Sequence, residues 1–481
     1  MEITLIDVAI ISLYFILLAI VAYFAKKKIR GLTDYFLAGR RLTLPIFIAT
    51  LVSTWYGGIL GVGQYSYFSG LGNWLTQGIF YYIMALLFAL FLAHKIRKSN
   101  LFTIPDQLEK FYDKKSRFLG SIFNFILVTP APYILSLGVI FMFLFGVPKW
   151  IGIVIVLAIL IAYTLYSGFY GVIYTDFLQF IFMMVGVALV VPFAIAKYGG
   201  FEFLTANLPE THLHITGGLT TQMILVWGFI AFWTFVDPGF YQRCYAAKDS
   251  KIPRKGILIS IGFWILFDIC TTFTGMYAFA ANKAGHISIE ILENGLPQPE
   301  VYMIFANSVL PPVIMGVFLI GIIATLMSTI DSFTLLGAMN ISHDIYKNTF
   351  KPDATDKQVM KVTKIGIVIT ASFGATLALF FSGIISMWYT IGTVCISTLI
   401  VPVLGGFFIK TKKPPISGVL SMIAGAGVST VWMINGYSNL SWGWPVYWFE
   451  IEPMYPGILA ALLVYLFIIG TSKIYKYKGV V

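Results

Sequence analysis

The sequence predicts an all-α membrane protein that crosses the bilayer about thirteen times, and three observations carry that reading. Only 11% of the 481 residues are charged against 58% hydrophobic, too few to cover a water-facing surface, since soluble proteins carry about 25% charge. The chain is punctuated by apolar runs that approach or exceed the roughly twenty residues a helix needs to cross the hydrocarbon core. Basic residues cluster in alternate connections between those runs, as cytoplasmic loops do.

In chain order the runs lie at about 4–24, 43–69, 71–94, 117–145, 148–166, 171–196 and 221–242, then 255–280, 311–342, 360–382, 385–409, 415–434 and 455–471. The first has no basic residue before it and Lys26, Lys27, Lys28 and Arg30 after it. That is the reverse of a cleavable secretory signal, so this run is expected to stay as a membrane helix. Extending the alternation puts every Lys and Arg on the cytoplasmic side except Lys149, Lys197 and Lys283. The N-terminus is then outside, the C-terminus cytoplasmic, and the membrane interior free of Lys and Arg. The segment 435–454 has no basic residue and several aromatics, and reads as an outer interfacial cap. With no linker or detachable segment in view, residues 1–481 are expected to form one membrane transport domain, in the plasma membrane.

The net charge of +11 flanks apolar runs and forms no separate basic and aromatic patch, which argues against nucleic-acid binding. Cys244, Cys270 and Cys395 lie far apart with no CxxC spacing, so neither a disulfide nor a thiolate metal site is expected. The five histidines fall in loops or at span ends without an HExxH pattern, which argues against a membrane-embedded metalloenzyme. No organic cofactor is expected, and no oligomeric state follows from the sequence.

Asp176, Asp237, Asp268 and Asp331 fall inside or at the ends of spans. Each would cost roughly 2.5–3.5 kcal/mol at a helix centre, so each needs a hydrogen-bonding neighbour, a wet cavity, a proton or a bound cation. Asp237, followed by Pro238 and within reach of Arg243, fits a loop cap or ion pair as well as a transport role. Asp268, beside Thr271 and Thr272, fits a satisfied core carboxyl. Asp176 and Asp331 stand among hydroxyls, and on a helix Thr325, Ser328, Thr329 and Ser332 share one face. Hard alkali cations want such oxygen ligands, though small hydroxyl residues also mediate close helix packing. The second run carries Ser53, Thr54, Trp55, Tyr56, Gly57 and Gly58, then Gly61 and Gly63, and reads as a broken helix whose unpaired carbonyls face ligands rather than lipid.

Four separated stretches, in order, resemble the sodium/solute symporter family, which includes the bacterial proline, pantothenate and sialic acid carriers and the sodium/glucose cotransporters. They are Asp34 to Arg40, Val172 to Gln179, Asp237 to Arg243 with Ala246, Ala247 and Lys248, and Met327 to Ser332 with Asp344, Ile345 and Tyr346. The resemblance implies a leucine-transporter-like core of two inverted five-helix repeats, here 43–196 and 221–409. One helix (4–24) precedes it and two (415–471) follow. It implies sodium-coupled uptake of a small organic solute by alternating access, with sodium as coupling ion. It also implies a shared sodium site made by the carbonyls of Leu51 and Thr54, the carbonyl of Thr325 and the hydroxyls of Ser328 and Thr329. Some members hold a further cation at positions matching Asp176, Asp331 and Ser332; an aspartate at 331 departs from them, so it either strengthens that site or carries a proton.

The resemblance places solute contacts at Trp55, Tyr56, Gln77, Tyr81, Trp233 and Trp388. Gly58 and Ile230 stand where sugar carriers place side-chain amides, which disfavours a hexose and points to an amino acid or related metabolite. A proton-coupled or sodium-independent carrier, a channel and a transporter-like sensor are the competing readings.

Overall fold

The computed structural model describes residues 5–477 other than 382, 412, 442 and 443. Residues 4 and 382, at the edges of the expected first and tenth runs, therefore lie outside the description. Among the described residues the regular elements are helices and one two-stranded ribbon pairing Leu440–Ser441 with Trp444–Pro445.

The leading helix α1 (Leu5–Lys26) is followed by α2 (Leu44–Trp55) and α3 (Ile59–Ser69), which bend by 61° at a break over residues 56–58. Thr43 precedes α2 with extended backbone and Pro45 sits in its first turn, where a missing N–H costs nothing. Helix α4 (Leu71–Phe91) contains a π-helical turn at Trp74–Ile79, an irregularity that recurs at functional sites. Helices α5 (Lys114–Leu127) and α6 (Ala131–Phe145) follow, the former capped by Asp113, whose carboxylate accepts from the Ser116 amide at 2.8 Å. Helix α7 (Lys149–Ala188) joins the fifth and sixth expected runs through a kink at Gly168, whose φ of +53° is a left-handed conformation that glycine alone adopts freely.

The seventh run is also broken. It comprises α8 (Thr221–Ile230), a single turn at Trp233–Val236, and α9 (Pro238–Ala246). Helices α10 (Ile252–Lys283), α11 (Pro312–Met339), α12 (Asp356–Phe380), α13 (Ile384–Phe408), α14 (Pro415–Tyr437) and α15 (Met454–Tyr477) complete the order. Among the described residues ten helices are long and apolar enough to span a bilayer, and the bent pair α2–α3, taken as one span, makes an eleventh. Ala9–Ala25 and Lys149–Ala162 are shorter apolar helices at the first and fifth expected runs, so a count of thirteen depends on including them.

The core is built around α11, which is buried almost continuously from Met315 to Met339 and packs against α7, α2 and α12. Helix α11 carries Thr325, Ser328, Thr329, Asp331 and Ser332, polar side chains that are costly against lipid, and its burial by neighbouring helices keeps them inside the protein. Helix α10 covers α2 and α3 from the other side. At one end of the bundle, Arg117 on α5 pairs with Asp106 and Glu109 of the short helix Ile104–Phe111, and His343, just past α11, lies 3.2 Å from Asp106. Asp344 accepts from Thr103 at 2.7 Å in the same network. Asp106, His343 and Asp344 offer ligand atoms within 4.8 Å of one another. Asp106 is already held by Arg117 and by the amides of Phe102 and Thr103, so the cluster serves as a clamp between helices. Burial pushes the Asp106 carboxyl up, but His343 and Arg117 outweigh it and hold the group below the usual carboxylate range.

Candidate functional site: two helix breaks around a buried oxygen cluster

The break in α2–α3 is where the sequence places it, and its glycines are required by close approach. A Cβ on Gly57 would lie 2.5 Å from Thr329 Oγ1, and one on Gly58 would lie 1.8 Å from the Trp388 ring. The helix therefore stops against α11 on one side and α13 on the other. Its last carbonyls are met from α11: Ser328 Oγ donates to the Ser53 carbonyl and Thr329 Oγ1 to the Thr54 carbonyl, both at 2.8 Å. The same two hydroxyls reach the Thr325 carbonyl at 3.0 and 3.3 Å. Five oxygens from two helices thus converge at the break. Of the expected pair of α2 carbonyls, Thr54 faces α11; Ser53 takes the other place, and among the described contacts the Leu51 carbonyl reaches neither hydroxyl. Leu51 is instead buried at the wall of the adjoining cavity.

One turn further along α11, the expected second group divides. Thr50 Oγ1 donates to Asp176 Oδ2, Thr54 Oγ1 approaches the same oxygen at 3.4 Å, and Ser332 Oγ lies 3.2 Å from Thr54 Oγ1. Asp176 and Ser332 are thereby brought together. Asp331 is fully buried on the same helix, but its Oδ1 has no hydrogen-bond partner and none of its described contacts reaches Asp176, Thr54 or Ser332.

The expected separation of cations from the buried carboxyls does not hold for Asp176. Arg243, on α9, is 0% exposed, and its Nη2 lies 2.7 Å from both Thr54 Oγ1 and Ser332 Oγ, 3.1 Å from Thr50 Oγ1 and 3.4 Å from Asp176 Oδ2. The guanidinium also lies against the Phe169 ring at 5.4 Å. Charge counting placed Arg243 in a loop because it stands near the end of its run. The break at Asp237 redirects that end into the protein. Asp237 itself is a helix cap: its Oδ1 accepts from the Phe240 amide at 2.9 Å, with Pro238 in the first turn. The Asp237-Pro238 pair carried the signal for this break.

The remaining buried carboxyl, Asp268 on α10, accepts from Tyr82, whose hydroxyl in turn accepts from Trp74 Nε1 at 3.2 Å. It lies in a polar chain away from the cation oxygens and fits a satisfied core group.

Beside the oxygen cluster a cavity is lined by all six expected solute residues: Trp55, Tyr56, Gln77, Tyr81, Trp233 and Trp388. Gln77 sits on the π-helical turn of α4. The walls are aromatic: Trp55 meets Tyr81, Phe240 and Trp264 at ring-centroid distances of 5.5, 5.1 and 5.6 Å. Tyr133, Trp227 and Phe333 also line it, as do Asp237 and Arg243, none of which sequence reasoning had placed there. The space beside Gly58 and Gly61 is filled by the Trp388 indole.

The osmoregulated proline transporter OpuE of Bacillus subtilis is 27% identical over 394 residues, covering 77% of each chain. The high-affinity proline transporter PutP of the same organism is 25% identical over 476 residues, covering 93% of this chain and 94% of the relative. The structure of a sodium-coupled sialic acid symporter in a substrate-bound outward-open state superposes with a TM-score of 0.80 at 18% identity, over 96% of this chain and 97% of that one, which establishes the fold. The sequence profile of the sodium:solute symporter family matches residues 35–425, and this chain belongs to that family.

Proposed function

We propose that this protein takes up a small amino acid, with proline as the type, together with sodium, by alternating access across the plasma membrane. The observation that carries the reading is the meeting of the Ser53 and Thr54 carbonyls with the Ser328 and Thr329 hydroxyls at 2.8 Å, where a helix break leaves main-chain oxygens to be satisfied from outside. A hard monovalent cation fits that donor set, which offers neutral oxygens only. The sodium ligands are then the carbonyls of Thr54, Ser53 and Thr325 with the two hydroxyls, and Leu51 shapes the cavity wall.

The solute lies in the aromatic cavity. Trp55, Tyr81, Trp233 and Trp388 suit a compact apolar ring, while Gln77 and Tyr56 supply polar contacts; the two bacterial proline transporters point the same way. The two halves, 43–196 and 221–409, are inverted repeats, a reading supported by the broken helix with which each begins. The N-terminus is outside and the C-terminus cytoplasmic. One charge crossing 100 mV contributes about 2.3 kcal/mol, which supports roughly fiftyfold accumulation per coupled ion.

A second reading rests on Asp331, whose Oδ1 is buried without a partner: a carboxyl so placed carries a proton and adds proton coupling. Labelled proline uptake into proteoliposomes separates the two. Symport predicts uptake driven by an inward sodium gradient and absent in potassium alone. Proton coupling predicts uptake driven by an inward proton gradient without sodium and lost in Asp331→Asn. Equal uptake in potassium with neither gradient would remove both.

A further inference from the structure

We propose that the Arg243 guanidinium is a built-in second cation, seated among the oxygens of Asp176, Thr54 and Ser332, so that transport couples to one sodium ion. The inference rests on the symport reading above and concerns only the number of ions.

A single nitrogen, Nη2, faces four oxygens: Thr54 Oγ1 and Ser332 Oγ at 2.7 Å, Thr50 Oγ1 at 3.1 Å and Asp176 Oδ2 at 3.4 Å. That nitrogen carries two hydrogens, so it cannot make four directed hydrogen bonds. What surrounds it is the oxygen cage of a monovalent cation. Arginine stays charged at any pH the protein meets, and both Arg243 and Asp176 are 0% exposed, so the charge is permanent and buried. A sodium ion held by the same oxygens would sit a few ångströms from the guanidinium, where like charges repel strongly in a low dielectric. Asp331, the third member of the expected site, contributes nothing there.

Thr54 joins the two sites. Its hydroxyl meets Arg243, and its carbonyl accepts from Thr329 at the sodium oxygens. No described contact brings the guanidinium onto the Ser53 carbonyl, Ser328 or Thr329, which leaves that cluster to the transported ion. Arg243 is thus a positioning residue that neutralises Asp176 and reserves the second site.

Equilibrium binding of sodium-22 chloride to the purified full-length protein tests the count without a solute. The wild type is expected to bind one ion per chain with a Hill coefficient near 1, and Arg243→Lys, which keeps the charge, also one. Arg243→Gln is expected to bind two, returning to one in the double variant Arg243→Gln, Asp176→Asn. Two ions in the wild type would put the second on the unpartnered Asp176 Oδ1 and overturn the inference whatever the variants do. One ion in an Arg243→Gln protein that still melts cooperatively would overturn it too. No sodium bound by the wild type would remove the symport reading as well, whereas two ions would leave it standing.

Discussion

The two helix breaks are made from different residues and do different work. In α2–α3 the chain stops at Gly57 and Gly58 because α11 and α13 come too close for a side chain, and the carbonyls freed there are answered by hydroxyls of another helix. In α8–α9 the chain stops at Asp237 and Pro238, and the break is closed from within: Asp237 caps α9, and Tyr241 donates to the Phe235 carbonyl at 3.1 Å. A break with exported carbonyls offers oxygens to a neighbouring helix or a proposed ion, whereas a self-capped break makes a platform. The platform here carries Arg243 to a neighbouring set of oxygens, those of the Thr54 and Ser332 hydroxyls.

The comparison is broken first at α11. Ser328→Ala with Thr329→Ala removes two oxygens from a buried cation, each worth about 1.5–3 kcal/mol, so the sodium concentration for half-maximal uptake should rise roughly 100-fold or more. Proline uptake measured against sodium checks it, and an unchanged curve would leave the first break a packing device only. Gly58→Ala forces a methyl into the Trp388 ring, an overpacking of about 1–3 kcal/mol, and should cut uptake about tenfold while sodium-dependent melting persists.

The second break is sharpened by smaller effects. Asp237→Ala should lower stability by about 1 kcal/mol through loss of the cap, with Asp237→Asn recovering most of it, as read by thermal melting. Asp268→Asn, in contact with none of the Ser53, Thr54, Ser328 or Thr329 oxygens in the described contacts and able to keep accepting from Tyr82, should cost about 1 kcal/mol or less and leave the sodium dependence of uptake unmoved.

Much of this was legible in the sequence. The glycine density of the second run announced its break, the spacing of Thr325, Ser328, Thr329 and Ser332 put their side chains on one face, and the six aromatic and amide positions taken from the family resemblance all reached one cavity. Arg243 was misplaced for a physical reason. Position along a run reports depth only while the helix is straight, and the Asp237 break ends that relation. That the Ser53 carbonyl rather than the Leu51 carbonyl meets Ser328 was not legible, because which carbonyls face a neighbour depends on the rotation of the last turn before a break, which side-chain pattern does not specify. Asp331 was grouped with Asp176 by the family resemblance, but Oδ2 of Asp176 meets Arg243 and the hydroxyls, and no described contact brings Asp331 to it.

The most direct test of the ion site is thermal melting of the purified protein in sodium against potassium, for the wild type and for Ser328→Ala, Thr329→Ala. A ligand that binds only the folded state raises its melting temperature as its concentration grows. The oxygen cluster at the first break predicts that sodium stabilises the wild type over potassium and that the double variant melts identically in both. Equal sodium stabilisation of the two proteins would contradict it.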